Sequence, residues 1–342
     1  MSFVWLRDNP VPKGGAQSWI TAADGVKLRL GIWRAADHQP APRPEGEPAP
    51  PRGSGTIVLL HGRTEFIEKY FETIGELLAR GLDVVTFDWR GQGRSDRLLS
   101  NPVKGHVADF ADYVADLHLV LETTLPTLQP GPLYLIAHSM GGAVALRYLH
   151  DHPARAFSAC VLTAPMTGIA VSMPQKRALA LTRLAARLGL GGLYAPGRSH
   201  VHPLTEPFEA NIVTHDRSRF DRNKALLQAE PELILDGPTY GWAKAALETT
   251  ALFRNPTWLG AIRVPVLLLS AGQEALVDNE SHARVAALLP ESEHVTIEGA
   301  RHELLQETRA LRARFWQLFD AFVGLGPAAE TGPRPQSPLA PA

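Results

Sequence analysis

One stretch constrains this chain more than any other. The apolar run Leu133-Tyr134-Leu135-Ile136 feeds the small-residue turn Ala137-His138-Ser139-Met140-Gly141-Gly142, and a helical pattern from Ala143 to His150 follows at once. A strand that turns this sharply into a helix belongs in a layered α/β arrangement, because both elements must bury one shared face. The turn sets Ser139 at its tip in a strained backbone conformation and lifts the hydroxyl clear of the sheet. The helix then starts beneath that hydroxyl, with unpaired N–H groups and a positive dipole end aimed at it. The usual spacing is small-x-Ser-x-Gly with glycine first; Ala137 adds a single methyl there. A plain strand-to-helix turn can carry the same letters, so the rest of the chain has to decide.

In order along the chain, Ser18 to Arg34 alternates about Asp24-Gly25, which predicts a hairpin. Residues 37–55 are dense in Pro, Gly and Glu without periodicity and read as a flexible surface insertion. Thr56–Leu60 predicts a strand buried on both faces, and a helix follows from about Phe66 to Arg80. Val84–Phe87 is the next strand, then a helix over about Asp109 to Thr123, the turn strand, and Ser158–Thr163. Strands alternating with helices imply a mostly parallel sheet covered on both sides, with ligands at the carboxyl ends of the strands. The alternation lapses after Pro165 and resumes at Val264–Leu269. Residues 168–255 between them are helical in pattern and read as a cap inserted after the sixth strand. The core is expected over 18–167 and 256–323, closing with strand His294–Ile297 and a helix from about Glu307 to Phe322. Residues 325–342 read as a disordered tail.

Composition excludes several classes. With 342 residues, 45% of them hydrophobic and 20% charged, the chain has ample material for a large core. A net charge of -1 argues against nucleic acid as a partner, since phosphate neutralisation needs a basic face. The single cysteine, Cys160, can form neither an internal disulfide nor a thiolate metal site, and no metal or cofactor is expected. The start of the chain lacks a charged-then-apolar leader and the longest uncharged stretch is broken by prolines, which predicts a cytoplasmic location. Oligomeric state is not readable.

A serine hydroxyl is a poor nucleophile until a base takes its proton. Of thirteen histidines, His302 lies in the loop after the last predicted strand, at the same sheet edge as Ser139. His138 is adjacent in sequence but is expected to point away, and His106, His118 and His150 read as surface positions. The partner of the base must accept its other N–H. Glu274 and Asp278 both follow the strand ending at Ser270; Glu274 is preferred, and Asp278, placed to cap a helix, is the alternative. A tetrahedral oxyanion needs two N–H donors: Met140, directly after the serine, and Arg63, in His61-Gly62-Arg63 after the first parallel strand. His61 and Gly62, with Tyr240 and Trp242 from the cap, are the candidate substrate-binding residues. The glycine-rich Asp88–Ser95 lacks phosphate-loop spacing and reads as a rigid loop pinned by Asp88–Arg90 hydrogen bonds.

Together, Ser139, Glu274 and His302 in that order resemble the α/β-hydrolase superfamily. His61–Glu65, Asp88–Leu99, Gly105–Val107, Thr214–Arg217, Gly237–Trp242 and Val277–Asn279 resemble its bacterial lysophospholipase and monoglyceride-lipase-like branch over about residues 18–323. The insertion 37–55 and the tail stand outside the resemblance. It implies an α/β-hydrolase fold and hydrolysis of a fatty acyl ester, of a lysophospholipid or monoacylglycerol, through an acyl-enzyme. It also favours Glu274 over Asp278. A helical cap rich in Leu, Trp and Tyr could wall an apolar tunnel for such a chain. The basic segment Lys176–Leu190 reads as a solvated cap helix, with peripheral contact to the inner membrane as the second reading. Arg217, Arg219 and Arg222 read as surface ion pairs ahead of a headgroup site. A small-ester esterase, a peptidase of the same fold, or a non-catalytic binder are the competing functions.

Overall fold

The computed structural model describes residues 2–38, 50–169, 173–196 and 203–325. Most of the predicted 37–55 insertion and nearly all of the 325–342 tail therefore lie outside the described residues. Eight strands form one sheet: β1 (Gly15–Thr21), β2 (Lys27–Trp33), β3 (Thr56–Leu60), β4 (Asp83–Phe87), β5 (Leu133–His138), β6 (Ala159–Thr163), β7 (Val266–Ala271) and β8 (Ser292–Ile297). Their order is β1-β2-β4-β3-β5-β6-β7-β8. β1 and β2 form the expected hairpin and pair antiparallel, as do β2 and β4; every other pairing is parallel.

The central strands β3, β5, β6 and β7 are buried along their whole length, as unbroken apolar runs require. Their side chains alternate between two cores. Val58, Leu135, Leu162 and Leu268 face one side, packing with α2 (Phe110–Thr124) and α3 (Met140–Asp151). Ile57, Ile136, Val161 and Leu267 face the other, against α1 (Phe71–Ala79) and the final helix α9 (Arg309–Val323). The predicted helix at Phe66 begins as a 3-10 turn over Ile67–Tyr70 and becomes α-helical at Phe71.

Between β6 and β7 lie α4 (Gln175–Arg187), α5 (Arg217–Ala229), α6 (Tyr240–Leu252) and the short α7 (Pro256–Leu259), with no strand among the described residues. This helical cap follows the sixth strand, as the sequence predicts. α8 (Asn279–Leu288) then joins β7 to β8. The cap is stitched to core loops by backbone bonds: Thr239 N donates to Gly105 O at 3.0 Å, and Glu303 N donates to Val213 O at 2.9 Å. The second bond ties the cap to the loop that carries His302.

The Asp88–Ser95 loop corrects one expectation. Asp88 does not pair with Arg90. It pairs with Arg29 at 2.6 Å and accepts from Ile67 N and Arg94 N. Arg90 pairs with Asp116 and Asp24, both at 2.7 Å. Each finds its counter-charge on a different element of the fold.

Candidate active site

Ser139 sits where β5 ends and α3 begins, with φ 49 and ψ −116. That is a left-handed region which a non-glycine residue enters only at a cost. The turn is held on both sides: Ser139 N donates to Thr163 O at 3.0 Å, and Met166 N donates to Ser139 O at 2.9 Å. The two glycines after the serine are there for space. A Cβ on Gly141 would stand 2.7 Å from His61 O and 2.8 Å from Leu60 O, and one on Gly142 would meet Pro165 at 2.7 Å. Ala137 is fully buried at the end of β5, and its methyl fits.

Ser139 Oγ donates to His302 Nε2 at 2.9 Å, and His302 Nδ1 donates to Glu274 Oε2 at 2.7 Å. This polarity follows from the carboxylate, which can only accept, so the imidazole carries its proton on Nδ1 and offers Nε2 to the hydroxyl. The other oxygen of Glu274 accepts from the N–H groups of Ala275, Leu276 and Val277 at 2.9, 2.8 and 3.3 Å. Burial works to raise the Glu274 pKa, but the His302 hydrogen bond and charge and these backbone donors outweigh it, and the group stays below its ordinary range. Asp278, the alternative acid, is the N-cap of α8, accepting from Glu280 N at 3.0 Å. The structure brings Glu274 to His302 and leaves Asp278 on its own helix.

His138 packs at the edge of this cluster. Its ring lies 4.8 Å from that of His302, and its Nδ1 meets Thr163 O at 3.0 Å. Burial pulls its pKa down to about 4. His138 is thus a neutral packing partner of the His302 ring.

The loop after β3 is arranged peptide by peptide. Gly62 N donates to Glu65 Oε2 at 2.5 Å, and Thr64 N donates to Gln92 Oε1 at 2.8 Å. Arg63 N lies between two N–H groups that are already held. Met140 opens α3, whose first N–H groups have no partner inside the helix. A Cβ on Gly62 would lie 3.2 Å from Ser139 Cβ, so this loop passes close to the serine. His61 has no exposed surface; its Nδ1 donates to Gly62 O at 2.7 Å and braces the loop. Trp242 is buried in the first turn of α6 beside Tyr240, which is partly exposed.

Sequence reasoning missed the support behind this loop. Glu65 also accepts from Tyr70 Oη at 2.7 Å and pairs with Lys69 at 2.8 Å, and Lys69 pairs with Glu303 at 2.6 Å. One buried ammonium therefore ties the Gly62 loop to the residue after His302. The spacing Glu65–Lys69 was visible as an i,i+4 pair; Glu303 is far away in sequence and carried no signal. Arg217 pairs with Glu209 and Asp221, while Arg219 and Arg222 both pair with Glu72. Among the described residues no cluster of side chains is suited to hold a metal.

Comparisons with known proteins identify the family. Residues 51–309 match the family described as serine aminopeptidase S33. The chain is 38% identical over 305 residues to lysophospholipase L2 of Escherichia coli strain K12, covering 86% of this chain and 83% of that one. It is 26% identical to human monoglyceride lipase, covering 84% of each. Among solved structures, a soluble variant of monoglyceride lipase from Saccharomyces cerevisiae aligns with a TM-score of 0.68 at 17% identity, over 94% of this chain and 99% of that one. That last likeness is one of fold. The family match and the 38% identity together place the chain in the serine aminopeptidase S33 family of α/β-hydrolases, in its lysophospholipase and monoglyceride-lipase-like branch.

Proposed function

We propose that the chain is a carboxylic-ester hydrolase that cleaves the fatty acyl ester of a lysophospholipid or monoacylglycerol, with Ser139 as nucleophile, His302 as base and Glu274 as its acid partner. The observation that carries this is the continuous chain Ser139 Oγ, His302 Nε2, His302 Nδ1 and Glu274 Oε2, at 2.9 and 2.7 Å. As Ser139 attacks the acyl carbonyl, its proton passes to His302 Nε2, and Glu274 stabilises the imidazolium. The oxyanion is held by the N–H groups of Met140 and Arg63. His302 returns the proton to the departing glycerol oxygen, and a water activated the same way releases the fatty acid.

The cap also supports contact with a membrane. Leu181 and Leu184 of α4 are 52 and 54% exposed, and Leu188 at its C-cap is 65% exposed, with Leu190 and Leu193 exposed just beyond. Basic side chains, Lys176, Arg177, Arg183 and Arg187, share the segment. Exposed leucines on a basic helix suit an anionic lipid surface, where an acyl substrate would reside. Among the described residues no helix is long and apolar enough to cross a membrane.

The test is a fluorophosphonate probe followed by a hydrolysis panel of lysophospholipid, monoacylglycerol, short p-nitrophenyl ester and aminoacyl amide. Labelling at Ser139 with turnover of the long-chain esters supports the reading. Absence of labelling points to a binder that kept the fold, and preference for the amide points to a peptidase.

A further inference from the structure

Lys69 is alone among the described lysines in being buried. It lies on the 3-10 turn Ile67–Tyr70, every residue of which is buried. Its ammonium donates to Glu303 Oε1 at 2.6 Å and lies 2.8 Å from Glu65 Oε1. Burial works to lower the Lys69 pKa, but the charges of Glu303 and Glu65 and their hydrogen bonds outweigh it and hold the group above its ordinary value. A hydrophobic side chain of similar size often serves a core as well as a buried ion pair does, so stability gives little reason for a cation here.

Each carboxylate leads to a different half of the reacting centre. Glu65 turns its other oxygen to Gly62 N at 2.5 Å and to Tyr70 Oη at 2.7 Å. That fixes Gly62, the residue before Arg63, whose N–H is the second oxyanion donor in the reading above. Glu303 directly follows His302, and its N–H is held by Val213 O of the cap at 2.9 Å. The Lys69 carbonyl makes a second tie to the same loop, accepting from Gln306 Nε2 at 3.0 Å. Two loops whose anchor residues are 234 positions apart in sequence thus meet on one side chain. Hydrolysis needs them in register, because the oxyanion donors and the base must bear on one carbonyl carbon, and a misplacement of about 1 Å costs about a hundredfold in rate.

We propose that Lys69 is a positioning residue for ester hydrolysis: by bridging Glu65 and Glu303 it holds the Arg63 N–H and the His302 imidazole in the mutual geometry that the tetrahedral oxyanion requires. This rests on the ester-hydrolase reading above. Lys69 touches no reacting atom and acts through the two loops it joins.

The experiment measures kcat and KM of the full chain on a short p-nitrophenyl ester, per site titrated to completion with a fluorophosphonate, for wild type, Lys69→Met, Lys69→Arg and Glu303→Gln. The same proteins are tested with a trifluoromethyl ketone, whose adduct with Ser139 presents an oxyanion to the same donors. In Lys69→Met kcat should fall about a hundredfold while KM stays within about threefold, the pattern of lost transition-state alignment. Affinity for the ketone should weaken by the factor by which kcat/KM falls, since the adduct resembles the transition state. Lys69→Arg keeps a cation with donors for both carboxylates and should recover much of the loss. Glu303→Gln keeps an acceptor for Lys69 but loses the charge, and should lower kcat severalfold. A Lys69→Met variant that is less stable to heat yet keeps wild-type kcat per titrated site overturns the proposal, because the ammonium then serves the fold alone. Should that variant not fold, wild-type kcat and ketone affinity in Glu303→Gln overturn it. If wild type neither reacts with the fluorophosphonate nor cleaves the ester, the hydrolase reading itself fails, and the two failures are told apart.

Discussion

His302 Nδ1 lies 2.7 Å from Glu274 Oε2, whereas Asp278, four residues along, gives its carboxylate to the N–H of Glu280. The first acid touches the His302 imidazole; the second caps a helix. Glu274→Gln should therefore lower kcat by about 10^4, because the amide no longer fixes the imidazole tautomer or stabilises its charged form. Asp278→Asn should leave kcat within a few-fold, with a stability loss of at most about 1 kcal/mol for a weakened cap. Steady-state kinetics on one ester substrate checks both, and a comparable loss of kcat in Asp278→Asn would reverse the assignment.

Ser139 holds a φ of 49 that alanine can also adopt at similar cost. Ser139→Ala should remove turnover by a factor of about 10^4 to 10^6 while leaving the thermal unfolding midpoint within a few degrees of wild type. Retained esterase activity after this change would sink the mechanism.

Gly141 has no room for a side chain, since a Cβ would press on the carbonyl oxygens of Leu60 and His61 at 2.8 and 2.7 Å. Backbone cannot swing aside as a flexible side chain can. Gly141→Ala should cost about 1–3 kcal/mol in unfolding free energy and displace the loop that carries Arg63. Chemical denaturation gives the first number and kcat reports the second effect. A variant as stable and active as wild type would contradict this close packing.

Stability should depend on pH through two buried histidines. Burial pulls His138 and His282 down from 6.5 to about 4. Between those values the unfolded chain binds protons that the folded chain does not, so stability rises with pH across the window and falls on acidification. At pH 5 each histidine should remove about 2 kcal/mol relative to pH 8. Denaturation midpoints from pH 8 to pH 5 measure this, and a flat profile down to pH 5 would exclude it.

Leu184 on α4 and Leu188 at its C-cap are exposed. Replacing both by Glu should weaken sedimentation with anionic phospholipid vesicles by about tenfold, since apolar contact is lost and like charge is added. Hydrolysis of a soluble short-chain ester should stay at the wild-type rate. Equal vesicle binding by the variant would remove α4 from the contact.

The sequence by itself determined the elements whose causes are local. The hairpin about Asp24-Gly25, the fully apolar strands β3, β5, β6 and β7, and the strand–serine–helix turn each follow from spacing and residue type within a short window. The chain order of Ser139, Glu274 and His302 was legible for the same reason, because each follows a recognisable strand. Tertiary structure alone decided which groups share a charge. Asp88 and Arg90 lie two residues apart and were expected to pair, yet they find Arg29 and Asp116 on other elements. His138 packs on His302, a residue far away in sequence. Lys69 joins Glu65 to Glu303 across most of the chain, and Arg63 ends beside Trp242. Hydrophobic periodicity records which face of an element is buried; it does not record which buried charge lies opposite, because that partner comes from wherever the packed elements bring it.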